Sequence, residues 1–193
     1  MEPPATLKLG KYLTLNDVCA CTQTYHKFRD RIDPFPENLT ETLPALQALF
    51  QFLIDPVIDE FGSARFRLTY GFCSRHLKKY LERKDPATGR RYGRVAPQLD
   101  QHMAFEKNRN GNYYCKRPGA ACDFYIIGLD SDRLVKWIVD RDLSFDSLYY
   151  YGIDRPIHIS YGNEHKRAIW TFDEGGRPTR KGIDRFYSSS LVN

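Results

Sequence analysis

The chain of 193 residues is short of several signals that would assign it quickly. It has five cysteines, Cys19, Cys21, Cys73, Cys115 and Cys122, with no CxxC pair among them. An odd, unclustered set argues against a secreted disulfide framework and against a cysteine-only zinc site. No apolar stretch approaches the roughly 20 residues of a membrane span. The start, MEPPATLKLGKYL, lacks the basic-then-apolar pattern of a secretory leader, so the expected place of work is the cytoplasm. No internal repeat is apparent. Charge of one sign is also scarce in excess: 29 basic against 24 acidic residues give a net +5. That balance permits an anionic partner without requiring one. What is present is apolar material, 41% hydrophobic and 14% aromatic, enough for a real core and too much for a disordered chain.

The order of elements reads helix first and then mixed strands. This predicts one α+β domain with a mostly antiparallel central sheet flanked by helices. Residues 1–10, with Pro3 and Pro4, read as an N-terminal arm, 11–174 as the domain, and 175–193 as a C-terminal tail ending in exposed serines. Thr42-Leu43-Pro44 opens a helix, because proline is tolerated in a first turn. Leu46, Leu49, Phe50, Leu53, Ile54 and Val57 then give it one apolar face, and Pro56 is placed to kink it. Residues 65–70 alternate like a half-buried strand. Residues 75–83 and 130–140 read as helices, with Leu134, Trp137 and Ile138 facing inward. Further strands are expected over 121–127, 147–151, 157–161 and 168–172. Asn110-Gly111 carries hairpin-turn chemistry.

Three positions draw attention together: His102 after Asp100-Gln101, Asp123 in an otherwise apolar strand, and His158 in Pro156-Ile157-His158-Ile159-Ser160. Two imidazoles and a carboxylate make a three-ligand set that leaves a fourth tetrahedral position open. Asp123 is the most informative, since a carboxylate in an apolar strand is costly unless paired or metal-bound. Backbone N–H groups or an arginine could also satisfy it. Strand alternation points Cys122 to the opposite face, into the core. Cys115 approaches the metal only if its loop folds inward. Glu164 and His165 follow the last strand, as a surface turn or as neighbours of the site. His26 and His76 read as ordinary surface residues.

Taken in chain order, these segments resemble the zinc D-alanyl-D-alanine carboxypeptidases, a family that includes phage peptidoglycan endopeptidases and shares the Hedgehog-like zinc peptidase fold. The family pattern is Ser-x-His-x-x-Gly-x-Ala-x-Asp followed by a closing His strand. Gln101-His102 is similar to its start, and Gly119-Ala120-Ala121-Cys122-Asp123 to its end. Phe145-Asp146-Ser147-Leu148 and the His158 strand resemble its last part. Thr69-Tyr70-Gly71-Phe72-Cys73-Ser74 resembles its Ser-Gly-Tyr-Arg-Ser turn, and Leu13 to Asp17 with the long helix resemble its N-terminal portion. The likeness covers about residues 11–162. It implies Zn2+ held by His102, Asp123 and His158, and hydrolysis of D-amino-acid-containing peptides or peptidoglycan fragments by zinc-activated water.

Three departures qualify that implication. An insertion over about residues 103–118 separates His102 from Asp123. Its basic and aromatic residues suggest a lid, a contact for an anion such as nucleic acid, or a solvated loop. The family arginine is replaced by Cys73, leaving Arg75 as a candidate clamp or an exposed helix residue. The family glutamate is absent, leaving Asp154 as the nearest carboxylate for proton transfer or as a turn cap. Tyr151 would orient substrate or pack at the rim. The alternative expectation is a relative that keeps the metal but has lost hydrolysis, and binds a partner or nucleic acid in a phage or defence system. A phage lysin could leave the cell through a holin.

Overall fold

The computed structural model describes residues 5–187. The Pro3-Pro4 part of the expected arm and the terminal serines lie outside them. The first turn is fixed by local chemistry. Thr14 accepts from the Asp17 N–H, and the Asp17 carboxylate accepts from the Thr14 N–H, which opens α1 (Leu15–Cys19). Thr22 caps α2 (Gln23–Phe28) in the same manner.

The long apolar-faced helix forms, but it starts earlier than expected and is interrupted. α3 (Leu39–Leu49) runs into a π turn (Phe50–Ile54) and then α4 (Asp55–Phe61). Pro44 therefore sits inside α3 and not in its first turn. The Asp55 N–H bonds back to the Phe50 carbonyl, the five-residue step of a π turn. Pro56 explains the widening: it brings no N–H, and its ring crowds the carbonyl four residues earlier. Leu46, Leu49, Phe50, Leu53, Ile54 and Val57 are all buried, as their spacing predicts.

The sheet is built from β1 (Phe66–Tyr70), β2 (Ala120–Ile126), β3 (Ser147–Tyr149), β4 (Ile157–Tyr161), β5 (Ala168–Phe172) and β6 (Pro178–Thr179). Its spatial order is β1-β2-β4-β3-β5-β6. Two more helices complete the fold, α5 (Arg75–Leu81) and α6 (Ser131–Asp140). The sheet is mixed, which corrects the expectation of a mostly antiparallel one: β3 and β5 run parallel. The reason lies in residues 162–167. This short stretch reverses the chain after β4 and steps across β3, so β5 inherits the direction of β3. His165 and Arg167 take positive φ to make that reversal.

One sheet face is apolar. Cys122, Phe124, Leu148, Ile157, Ile159 and Ile169 join the buried faces of the helices in the main core. Trp137 is only partly buried at its edge, against Phe61. A smaller cluster of Ile32, Cys73, Leu77, Leu81, Met103 and Cys115 sits under α5. Residues after the Gly175-Gly176 turn, grouped with the tail on sequence, return to the body. They form β6 and a 3-10 turn (Ile183–Phe186) that inserts Phe186 into the main core against Tyr150. Among the described residues, no helix is long and apolar enough to cross a membrane.

Phe186 is 1% exposed, so Phe186→Ala should cost about 3 kcal/mol of unfolding free energy. Urea denaturation measures this. A loss too small to resolve would mean that the 3-10 turn docks without carrying stability.

Candidate metal centre

Strand alternation sets two of the three ligands. Cys122 and Phe124 point into the core, so Asp123 between them projects from the opposite face of β2. Ile157 and Ile159 do the same for His158 on β4. The β2–β4 register pairs Asp123 directly with His158, and the β3–β4 register pairs His158 with Tyr149. Tyr70 is opposite Asp123 on β1. A polar row thus runs across the open face of the sheet.

His102 comes from the long connection between α5 and β2. Its backbone carbonyl accepts the Cys73 N–H at 2.9 Å. Its Nδ1 lies 2.9 Å from the Gly71 carbonyl, which can only accept, so Nδ1 carries a proton and Nε2 is the nitrogen that faces the site. Gly71 itself packs against α1 with no room for a side chain: a Cβ there would lie 2.3 Å from the Val18 carbonyl oxygen. Gly119, at the entry to β2, has φ +140° and leaves equally little room for a side chain, beside the Tyr161 carbonyl and the Gln101 amide.

The three donor atoms form a tight triangle. Asp123 Oδ1 is 3.1 Å from His102 Nε2 and 2.8 Å from His158 Nδ1, and the two nitrogens are 3.1 Å apart. Ligands at ordinary zinc bond lengths on a tetrahedron are about 3.3 Å apart. The set therefore fits a small divalent ion, and His102, Asp123 and His158 could hold one. Both imidazoles are buried, while the Asp123 side chain keeps 25% exposure and lines a cavity. Tyr149 stacks flat on the His158 ring at 4.5 Å and fixes its plane.

Without an ion, protons and charge hold the triangle together. Burial alone would lower the His102 imidazole, but the Asp123 carboxylate beside it prevails and lifts it from 6.5 to about 9. Burial alone would raise Asp123, yet the two imidazoles keep it well below the usual carboxylate range.

The cavity over this face measures about 600 Å³. Tyr149, Tyr151 and Phe172 form one wall, with Tyr151 stacked on Phe172 at 4.8 Å. Tyr92, Gly93, Arg94, Ala96, Leu99 and Asp100 form another wall. The Tyr149 hydroxyl donates to the Leu99 carbonyl and ties the two walls together. Among the described residues, Asp100 is the one carboxylate of the lining besides Asp123, and it accepts the His102 N–H at 3.3 Å.

Of the other expected site residues, only Tyr151 reaches the cavity. Asp154 is exposed in the turn after Gly152 and lies outside the lining; the positive φ of Gly152 starts the turn that carries it off. Arg75 is engaged by Glu37 at the start of α5 and also lies outside. The insertion over 103–118 does not cover the metal centre. Glu106 is buried and accepts the Asn38 N–H at 3.1 Å, while Lys107 and Tyr113 both bind Glu41 of α3. Arg117 braces Ser147 and the Leu99 carbonyl. Cys115 packs in the smaller core cluster. Glu164 pairs with Lys166, and His165 lies against Tyr161. Sequence reasoning missed residues 92–100, Tyr70 and Tyr149. The Asp-x-His spacing of Asp100 and His102 was the one local signal for the first.

Comparison of the chain with protein-family models, with curated proteins and with solved structures returns no match.

Two opposite pH trends follow from the triangle. In metal-free protein the charged His102 stabilises the fold fully below its ordinary 6.5, and that contribution is lost as pH rises through about 9. A bound ion instead competes with the same proton, so metal affinity should rise roughly tenfold per pH unit over that window. Thermal melts with chelator and with zinc should diverge between pH 6.5 and 9. A constant gap would mean that the imidazole is not the group displaced.

Proposed function

We propose that this chain is a zinc-dependent hydrolase of the D,D-peptidase type, acting on peptides that contain D-amino acids or on peptidoglycan fragments. The observation that carries the reading is the triangle of two nitrogens and one carboxylate oxygen, facing an open cavity. A mixed nitrogen–oxygen set of this size suits zinc, and a residual open position distinguishes a catalytic from a closed structural site. Zinc in such a site supplies Lewis acidity toward a carbonyl and acidifies water.

The chain's own residues do the rest. Gly71 orients His102, and Tyr149 fixes His158. Asp100, and not Asp154, is the carboxylate in position to accept a proton from a reacting group in the cavity. Arg94, and not Arg75, is the cation of the lining available to a substrate carboxylate. Burial pushes the Tyr151 hydroxyl up, so it stays protonated and offers a hydrogen bond to substrate.

A second reading, a metal-keeping relative without hydrolysis, is favoured by one observation: among the described residues, no glutamate lines the cavity. The two readings separate in one experiment. Protein loaded with one equivalent of zinc is incubated with D-alanyl-D-alanine peptides and with wall fragments, and released amines are measured. The hydrolase reading expects turnover, a loss of about 100-fold or more in Asp100→Asn with zinc retained, and no change in Asp154→Ala. Stoichiometric zinc with no cleavage of either substrate supports the second reading.

A further inference from the structure

The charge of this chain is not evenly spread. Residues 75–94 hold eight basic residues, from Arg75 to Arg94, against Glu82 and Asp85, a net of +6 in a chain that totals +5. The rest of the protein is close to neutral. Both acids of the stretch are consumed: Lys78 pairs with Glu82, and Lys27 of α2 reaches Asp85. Lys79, Arg83, Lys84, Arg90, Arg91 and Arg94 remain, all exposed and, among the described residues, none within ion-pair distance of a carboxylate.

The fold gathers these cations. Residues 83–92 form a hairpin, with the Tyr92 N–H bonded to the Arg83 carbonyl at 3.0 Å and the Asp85 N–H to the Arg90 carbonyl at 2.7 Å. Lys84 and Arg91 are bridge partners across it. Like charges directly opposite one another are destabilising. A protein that keeps four unpaired cations on one small hairpin carries a cost that a bound polyanion would offset.

The hairpin also leads into the metal cavity, whose wall includes Tyr92, Gly93 and Arg94. Aromatic rings face that path. Lys27 lies 4.5 Å over the Tyr92 ring, and across the cavity Tyr151 keeps 43% exposure while stacked on Phe172. Inside the cavity Asp100 and Asp123 disfavour phosphates, so a phosphate backbone belongs on the hairpin and the rings belong inside.

We infer that the 83–92 hairpin and the aromatic wall at Tyr151 and Phe172 together bind single-stranded nucleic acid, its backbone on the cations and a base on the wall. Cationic tracking plus sequence-tolerant stacking is how proteins take single strands. An anionic wall polymer would satisfy the hairpin but leave the aromatic wall without a flat ring to stack. The inference rests on the hairpin and the rings, and is independent of the hydrolase reading.

The test uses the full chain and a fluorescein-labelled single-stranded DNA oligonucleotide of mixed sequence, read by anisotropy across potassium chloride concentrations. Binding should weaken steeply with salt. The triple variant Lys84→Gln, Arg90→Gln, Arg91→Gln should bind at least tenfold more weakly and flatten the log–log salt slope by about 2. The same variant, without DNA, should melt no lower than the parent, because it loses a repulsion and no contact. Tyr151→Ala should weaken DNA binding about tenfold while leaving heparin binding unchanged. Chelator should change none of this. The inference is overturned by absence of binding at low salt, by binding that the triple variant retains, or by chelator-sensitive binding. Equal loss of heparin and DNA in Tyr151→Ala, or none of either, also overturns it and leaves a surface for anionic polymers in general.

Discussion

The arrangement depends on one carboxylate placed where a sheet would ordinarily carry an apolar or neutral side chain. Asp123 stands between β1 and β4, paired with Tyr70 across a register shift at Thr69 on one side and with His158 on the other. A charge there is expensive unless it is met at close range by groups of opposite or adjustable charge. Two imidazoles meet it, one from the partner strand and one from a loop. Satisfying Asp123 fixes the β2–β4 register, since a slip by one residue would turn His158 into the core. It also constrains the loop that carries His102, whose other ring nitrogen meets the Gly71 carbonyl.

The two faces of the sheet divide the labour. Cys122, Phe124, Ile157 and Ile159 anchor the strands in the core and hold Asp123 and His158 from behind. Interior packing at crystal-like density leaves such positions little freedom. His102 has no strand behind it. Its position relies on the Gly71 and Cys73 backbone contacts and on the smaller cluster under α5, which includes its neighbour Met103. The position of His102 therefore depends on loop contacts and that of the other two on strand packing.

How much of this could be read from the sequence follows the range of the interactions involved. The outward direction of Asp123 and the inward direction of Cys122 are local consequences of a two-residue repeat, and both were legible. So was the apolar stripe from Leu46 to Val57, because helical spacing is local too. The parallel step between β3 and β5 was not, since nothing in residues 162–167 states which strand they cross. Asp154 looked close to His158 because four residues separate them, but a turn lies between, and chain proximity there runs opposite to spatial proximity. The insertion over 103–118 looked like a lid because it is basic. Two of its cations, Lys107 and Arg117, are taken up by Glu41 and by Ser147 and Leu99, partners distant in sequence that no local pattern could name.

The same reasoning relocates the chemistry of the cavity. The resemblance assigned its working groups to α5 and to the approach to β4, yet Arg75 and Asp154 are both outside. A single segment, residues 92–100, delivers an aromatic ring, a cation and a carboxylate to the cavity lining, and its carboxylate accepts the His102 N–H. Loops held on a rigid scaffold are where function diverges while the scaffold persists. Here the sheet supplies two candidate donors of a triangle that could hold a metal, and the loop beside it supplies a cation and a second carboxylate to the cavity. A change in that segment would alter the lining of the cavity without disturbing the strands that place Asp123 and His158.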